Sequence, residues 1–460
     1  MSCEPGRCGG AADSADIVGA MTNLSTLHAA ALKYIDASIL PEPKPAPMLR
    51  ADGLVFQASH WDIDPALTFL NHGSYGAVPR RVLDAQSRLR QRMERDAVRF
   101  YKVDLEHLMD GVREVLGAFV HCDPAGIGPV PNATMGIATV LANTPLQPGD
   151  EILITDHEYM SGINELQRIA SKTGARVVCA RIPFPVQSAA EIESAVMQAV
   201  SPRTKLAMIS HITSTTSLIF PVESIVPKLK ALGIDVLVDG AHSPGQVPVD
   251  LTALDPTYFV GSLHKWISAP KGTAFLYVAP HKREGFRPVF LSSRGHKIRP
   301  DRALFLRDFD YHGTLDYSGF LVVPEAIAYL SRLLPGGWPE LIQRNHELAL
   351  KGRAIVGNAI GATPAAPDSM IGCMASIVLP EAAPEMQSRT TIYDDPLQDN
   401  LVHKHGVVAP IWRLASTNQR VVRLSAQAYN TVDQYEKLAE ALVTELQAEG
   451  ALKSTARRAS

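Results

Sequence analysis

The sequence predicts an α/β protein: a large domain on a mainly parallel sheet sandwiched by helices, then a smaller α+β domain toward the C-terminus. Three observations carry this. Apolar runs of strand length alternate with amphipathic runs of helical period between about residues 150 and 280, the pattern of strands joined by crossover helices and covered on both faces. Small polar and ionisable residues follow several apolar runs directly, at the carboxyl ends of strands where open α/β sheets build their sites. After about Tyr317 the alternation gives way to longer helical runs and isolated apolar strands.

The strands expected are Glu151–Thr155, Arg176–Ile182, Lys205–Ser210, Asp235–Val238, Thr257–Val260 and Ala274–Val278, with helices between them at Gly162–Ser171, Ala190–Val200 and Val222–Leu232. Upstream, Thr68–Gly76 is an apolar entry into a glycine-punctuated turn. Pro79 through Val120 reads as one long helix or two joined ones, with Val82, Leu89 and Met93 at helical spacing. Seven arginines between Arg80 and Arg99 read as its solvated basic face. Downstream, helices are expected at Val323–Leu333, His346–Ile360 and Val432–Gln447, with strands near Met374–Leu379 and Arg420–Ser425. The division is residues 1–50 as an extension and linker, 51–320 as the large domain, whose N-terminal segment contacts the small domain, and 321–460 as the small domain. The extension carries one helical piece near Leu24–Ile39 and the stiff run Pro41-Glu-Pro-Lys-Pro-Ala-Pro47.

Composition narrows the function. At 460 residues the chain exceeds one typical domain, and 46% hydrophobic with 20% charged residues is ordinary for a globular protein. A net charge of −3 gives no global attraction to nucleic acid or anionic membrane. No apolar run reaches the roughly 18 residues of a bilayer span, and no secretory signal is apparent. Five scattered cysteines argue for a reducing, cytoplasmic setting, and Cys3 and Cys8 lack the second pair that a zinc site needs, so no metal is expected.

The chemistry centres on Lys265. Tyr258-Phe-Val-Gly-Ser-Leu-His-Lys-Trp266 runs a strand into a small polar turn ending in lysine, and Asp235-Val-Leu-Val-Asp-Gly-Ala-His242 is an apolar run ending in an acid. A lysine and a carboxylate presented together suit pyridoxal 5'-phosphate: the lysine carries the cofactor and acts as base, and Asp239 keeps the ring nitrogen protonated. Ser262 and His264 offer hydrogen bonds to the phosphate, and Trp266 seals the pocket. The helix opening at Val130-Pro-Asn-Ala-Thr-Met-Gly136 presents amides, with Ala133 and Thr134 as phosphate donors. Tyr159, after a strand end, is the candidate both for ring stacking and for the second proton donor. The hydroxyls of Thr213–Ser217, Ser214 among them, are placed to reach the ring oxygen, as is His242, which is alternatively a substrate contact. Arg423, in Val421-Val-Arg-Leu-Ser425, is the anchor for an amino-acid carboxylate.

Together these motifs resemble the class V (fold type I) pyridoxal-phosphate-dependent aminotransferase superfamily, over roughly residues 65 to 445, and most of all its isopenicillin N epimerase-like branch. The segments that carry the resemblance are Phe69-Leu-Asn-His-Gly-Ser-Tyr-Gly76, Ser210-His-Ile-Thr-Ser-Thr-Thr216, Val238-Asp-Gly-Ala-His242, Gly261-Ser-Leu-His-Lys-Trp266 and His312-Gly-Thr-Leu-Asp316. The resemblance implies a homodimer with shared sites, Lys265 as the Schiff-base lysine, Asn71 and Gly73 as substrate contacts, and Gly313 and Thr314 reaching the phosphate of the neighbouring subunit. Where the branch often has arginine this chain has Leu315, and the loop Gly406-Val-Val-Ala-Pro410 lacks the nucleophilic cysteine of second-group desulfurases. Cys373, in an apolar run, reads as core. The resemblance extends to fungal C–S lyases, through Asn132-Ala-Thr-Met-Gly136 and Arg423-Leu-Ser-Ala-Gln-Ala-Tyr429. The reaction expected is therefore epimerisation at the α-carbon of an amino acid, with β-elimination and transamination as alternatives; the intact site set argues against a non-catalytic binding protein.

Overall fold

A computed structural model describes residues 60–295, 299–382 and 390–453. The helix expected at Leu24–Ile39 and the proline-rich linker lie outside the described residues. In chain order the strands are β1 (Thr68–Phe69), β2 (Ile127–Val130), β3 (Glu151–Thr155), β4 (Arg176–Ala180), β5 (Thr204–Ser210), β6 (Asp235–Asp239), β7 (Tyr258–Ser262), β8 (Ala274–Val278), β9 (Met374–Val378), β10 (Val407–Val408), β11 (Ile411–Arg413) and β12 (Arg420–Ser425).

Seven strands form the main sheet in the order β2-β8-β7-β6-β5-β3-β4. The pairs β4/β3, β3/β5, β5/β6 and β6/β7 are parallel, while β7/β8 and β8/β2 are antiparallel. Both faces are buried, and the alternation of side chains distributes them. Leu153, Ala207, Val236, Val238 and Phe259 enter one core; Ile152, Leu206, Leu237, Tyr258 and Val260 enter the other. That is why these strands read as continuous apolar runs rather than as alternating ones. The strand β2 escaped sequence reading because its centre is Gly128-Pro129, poor strand formers tolerated here at a sheet edge.

The crossover helices Met160–Thr173, Ala189–Gln198 and Val222–Ala231 fall within a few residues of the expected positions. Pro79–Val120 divides into Arg80–Arg95 and Leu105–Phe119, joined by short helical turns, and Val82, Leu89 and Met93 are buried as their spacing requires. The arginines of the first helix are not simply solvated. Arg81 pairs with the buried Glu325, Arg90 with Asp316 and Arg92 with Asp104, so this face holds other parts of the chain.

Beyond the main sheet, β11-β12-β9 form a small antiparallel sheet. The helices Gly337–Ile360 and Val432–Ala448 pack on each other, and the first of them also packs on β9 and β12. The helix Pro396–His405 was not expected, although its start is legible: the Asp395 side chain accepts from the Leu397 N–H and proline occupies the first turn. The strand β1 pairs in parallel with β10, which delivers the following turn, His72–Tyr75, to the junction of the two sheets. No helix among the described residues is long and apolar enough to cross a membrane.

Gly76 closes that turn at φ 70°, and a Cβ there would sit 2.1 Å from the His264 carbonyl oxygen. Gly76→Ala combines left-handed strain with a backbone overlap, so it should destabilise the fold by about 3 kcal/mol. Equilibrium denaturation by urea checks this; an unchanged midpoint would contradict the close packing of this turn on the Lys265 loop.

Candidate active site

Because β5, β6 and β7 are neighbours, residues just past their carboxyl ends converge on one cavity. Ser214 enters from the segment after β5, Asp239 and His242 from β6, and Ser262, His264 and Lys265 from β7. Ala133 and Thr134 line it from the start of the helix Ala133–Ala142, Tyr159 and Ser161 from the start of Met160–Thr173, and Ser74 and Tyr75 from the N-terminal turn.

Lys265 Nζ lies 3.0 Å from His242 Nε2. The Trp266 indole N–H donates to His242 Nδ1 at 3.4 Å. Indole nitrogen only donates, so Nδ1 is the acceptor and the neutral imidazole carries its proton on Nε2, facing the lysine. Lys265 must then offer a lone pair, which requires the free amine. The electrostatics agree. Burial lowers the Lys265 pKa to about 7, with Arg423 adding to the shift and Asp239 opposing it. His242 is held neutral chiefly by burial, with the Arg423 cation adding to the effect.

Asp239 is 5% exposed, and its Oδ1 accepts from the Ala241 N–H at 3.0 Å. Burial raises its pKa, opposed by that N–H and by Lys265. A second acid that the sequence reading missed, Glu158, accepts from Ser210 N–H at 3.1 Å and from Thr155 Oγ at 2.8 Å. It braces the ends of β3 and β5, and burial lifts its pKa to about 7.

The donor set fits pyridoxal 5'-phosphate. Asn132 caps the helix through the Met135 N–H at 2.9 Å, while the first-turn amides of Ala133 and Thr134 point out of the helix unpaired, as helix starts require. Thr134 Oγ1 and Ser161 Oγ are 2.9 Å apart. His264 donates from Nδ1 to the Thr273 carbonyl at 2.9 Å, leaving Nε2 on the cavity side, and burial lowers its pKa to about 4. An anion cradle, a buried carboxylate and an uncharged lysine therefore share one cavity.

Other expected residues are brought together differently. Ser214 lines the cavity, but its carbonyl and Oγ accept from Arg423 at 2.9 and 3.3 Å. The neighbouring hydroxyls are committed elsewhere, Thr213 to Thr216, Thr216 to His157 and Ser217 to Ser376. Ser214 therefore holds Arg423 as an acceptor while its own O–H remains able to donate into the cavity. Asn71 Oδ1 also accepts from Arg423, at 3.0 Å. Gly73 donates its N–H to Ser425 Oγ at 3.1 Å, and a Cβ on it would come within 3.3 Å of Arg423 Nη2. Tyr159 stands at the rim, 53% exposed. Gly313 and Thr314 do not line the cavity of their own chain; Thr314 Oγ1 lies 3.1 Å from the Tyr311 hydroxyl. Cys373 is buried, its thiol raised by burial, with Sγ 3.5 Å from the Gln246 carbonyl.

His72 and Trp412 are the other residues the sequence reading missed. Fully buried His72 has Nδ1 2.7 Å from the Tyr429 hydroxyl and Nε2 2.9 Å from the Lys265 carbonyl. Trp412 carries the Arg423 guanidinium over its ring at 4.4 Å. His72 lies inside the motif that drew attention to Asn71 and Gly73; Trp412 has no local signal.

Fold and site define a pyridoxal-phosphate enzyme. The family model described as Aminotransferase class-V matches residues 71–354, and the chain belongs to that family. The isopenicillin N epimerase of Streptomyces clavuligerus is 30% identical over 392 residues, covering 83% of this chain and 95% of that one. A putative L-cysteine desulfhydrase of Oryza sativa subsp. japonica is 31% identical over 410 residues, covering 83% of each. In fold, the chain is similar to the cysteine desulfurase CsdA of Escherichia coli, with a TM-score of 0.69 at 18% identity over 86% of this chain and 98% of that one.

A lysine with a pKa of about 7 reacts as the free amine across neutral pH. The rate at which apoprotein takes up pyridoxal phosphate, followed by visible absorbance, should rise through about pH 7 and level above about pH 8. A rate still climbing steeply between about pH 9 and 10 would mean an unperturbed lysine.

Proposed function

We propose that the protein acts at the α-carbon of an amino acid and epimerises it. The observation that carries the reading is the uncharged Lys265 amine, hydrogen-bonded to His242, in the same site as a buried arginine that no carboxylate among the described residues neutralises. In this reading Ala133, Thr134 and Ser262 donate to the phosphate, His264 joins them once the phosphate's negative charge draws a proton onto its Nε2, Asp239 keeps the ring nitrogen protonated, and Tyr159 covers the ring. When bound, the cofactor supplies an electron-withdrawing ring that acidifies the Cα–H bond.

The remaining steps belong to the chain. Arg423 anchors the substrate carboxylate and so fixes which Cα bond faces Lys265. Lys265, uncharged, takes the Cα proton at Nζ, and His242 keeps that nitrogen in place through Nε2–H. Epimerisation needs a proton returned from the other side. Tyr159 follows β3 whereas Lys265 follows β7, with β6 and β5 between them, and this separation supports Tyr159 as the second donor. Burial, with Tyr75 nearby, raises the Tyr159 pKa, which keeps its hydroxyl protonated and able to donate.

A second reading, β-elimination from a cysteine conjugate, needs only one base and a leaving group on Cβ. It is supported by the desulfhydrase relatives and by the exposed position of Tyr159, which weakens it as an obligatory acid. Persulfide chemistry gains no support, because among the described residues no cysteine lines the cavity. A homodimer with shared sites is part of the proposal: Gly313 and Thr314 lie on a segment beside the exposed Leu315, and Phe290 and Leu291 are also exposed, an apolar surface of the kind subunits cover.

Proton NMR of the loaded protein with an amino-acid panel in D₂O tests the function. Loss of the Cα proton signal with the amino acid retained supports epimerisation, and pyruvate with ammonia from S-substituted cysteines supports the lyase. Neither outcome across the panel would remove both. Arg423→Gln should lower kcat/KM by about a hundredfold or more, since it removes one partner of a buried charge pair; a loss below about threefold would take Arg423 out of substrate binding.

A further inference from the structure

Arg423 is 0% exposed and lies behind the cavity wall rather than in it. Ser74 and Ser214 line the cavity, and both bond to the guanidinium. Nη1 donates to the Ser214 carbonyl and Oγ at 2.9 and 3.3 Å. Nη2 donates to Asn71 Oδ1 at 3.0 Å and to Ser74 Oγ at 2.9 Å. The Ser74 hydroxyl in turn donates to Asn71 Oδ1 at 2.7 Å, so the turn offers Nη2 two adjacent oxygens, both of them neutral acceptors. Arg423 Nε is buried with no hydrogen-bond partner among the described residues. The whole cation is thus balanced by neutral acceptors and the Trp412 ring, while burial draws its pKa down to about 9.

We infer that Asn71 and Ser74 are positioning residues that stand in for the substrate carboxylate on Arg423. The carboxylate reaches Arg423 by displacing the Ser74 hydroxyl. A substrate lacking a negative charge cannot make the exchange worthwhile, because it would replace neutral acceptors with another neutral one. A carboxylate gains charge-assisted bonds of roughly twice the strength and neutralises a buried charge. The pair therefore filters for an anionic group at that position and holds Arg423 in its rotamer beforehand. This inference rests on the proposed role of Arg423 in binding the amino-acid carboxylate.

The test uses the pyridoxal-phosphate-loaded protein and propionate, which has a carboxylate but no amine to react with the cofactor. Binding is read from the rise in melting temperature with concentration. Ser74→Ala leaves Nη2 one acceptor short, so propionate should bind about five- to tenfold more tightly than to wild type. Asn71→Ala should tighten it in the same direction and serves if Ser74→Ala fails to fold. Ser74→Thr, which keeps the hydroxyl, should bind propionate as wild type does, and propionamide should not raise the melting temperature of any of them. Unchanged or weaker propionate binding in both Ser74→Ala and Asn71→Ala would overturn the inference, because the turn would then be a plain structural or direct contact. Arg423→Gln separates the two claims. If propionate still stabilises that variant, the assignment of Arg423 itself fails; if its binding is lost while Ser74→Ala shows no tightening, only the stand-in role fails.

Discussion

A single buried imidazole ties the site together. His72 accepts at Nδ1 from the Ala77 N–H at 3.3 Å, so its neutral form carries the proton on Nε2 and donates it to the Lys265 carbonyl. Burial pushes its pKa to about 3, which keeps that tautomer uncharged across the working range. The same ring meets the Tyr429 hydroxyl and lies 5.2 Å from the Trp266 ring. The N-terminal turn, the loop that carries Lys265 and the segment after β12 are thereby joined at one point. The same turn also bonds Arg423 through Asn71 and Ser74, so Lys265 and Arg423 are positioned by one part of the chain.

Burial shifts the pKa of every ionisable group at the centre of the site, Lys265 and His242 downward and Asp239 upward. Burial lowers the Lys265 pKa to about 7, His242 turns its Nε2–H toward the free amine, and His242 is so oriented because Trp266 occupies its other nitrogen. Asp239 is poised between burial, which raises its pKa, and the Ala241 N–H and Lys265, which lower it. On the surface Lys265 would keep its ordinary pKa and stay charged at neutral pH, and the free amine that the chemistry uses would be scarce. The parallel sheet is what makes this arrangement possible: it brings the ends of β5, β6 and β7 side by side while both of its faces are covered.

Much of this was legible in the sequence because strands buried on both faces leave unmistakable apolar runs, and the polar residues after them mark the site edge. Lys265, Asp239 and His242 were picked out that way, and Ala133 and Thr134 as the start of a helix; the structure brings all five to one cavity. What was not legible came from long-range pairing. The commitment of Ser214 to Arg423 depends on contacts 209 residues apart in sequence, and no local pattern announces them. Trp412 sits on a three-residue strand, too short to carry a periodicity. The arginines of Arg80–Arg95 looked solvated because their acidic partners, Glu325 and Asp316, lie more than two hundred residues downstream. The strand β2 was hidden by Gly128-Pro129, whose local preference opposes the tertiary pairing that wins.

The account stands on Lys265 being the residue that carries the cofactor. Borohydride reduction of the loaded protein, followed by digestion and mass spectrometry of the peptides, tests this directly. The account predicts the phosphopyridoxyl mass on Lys265 alone. Its appearance instead on Lys271, a nearby lysine whose pKa burial also lowers but whose Nζ bonds to the Gly76 carbonyl, would contradict it.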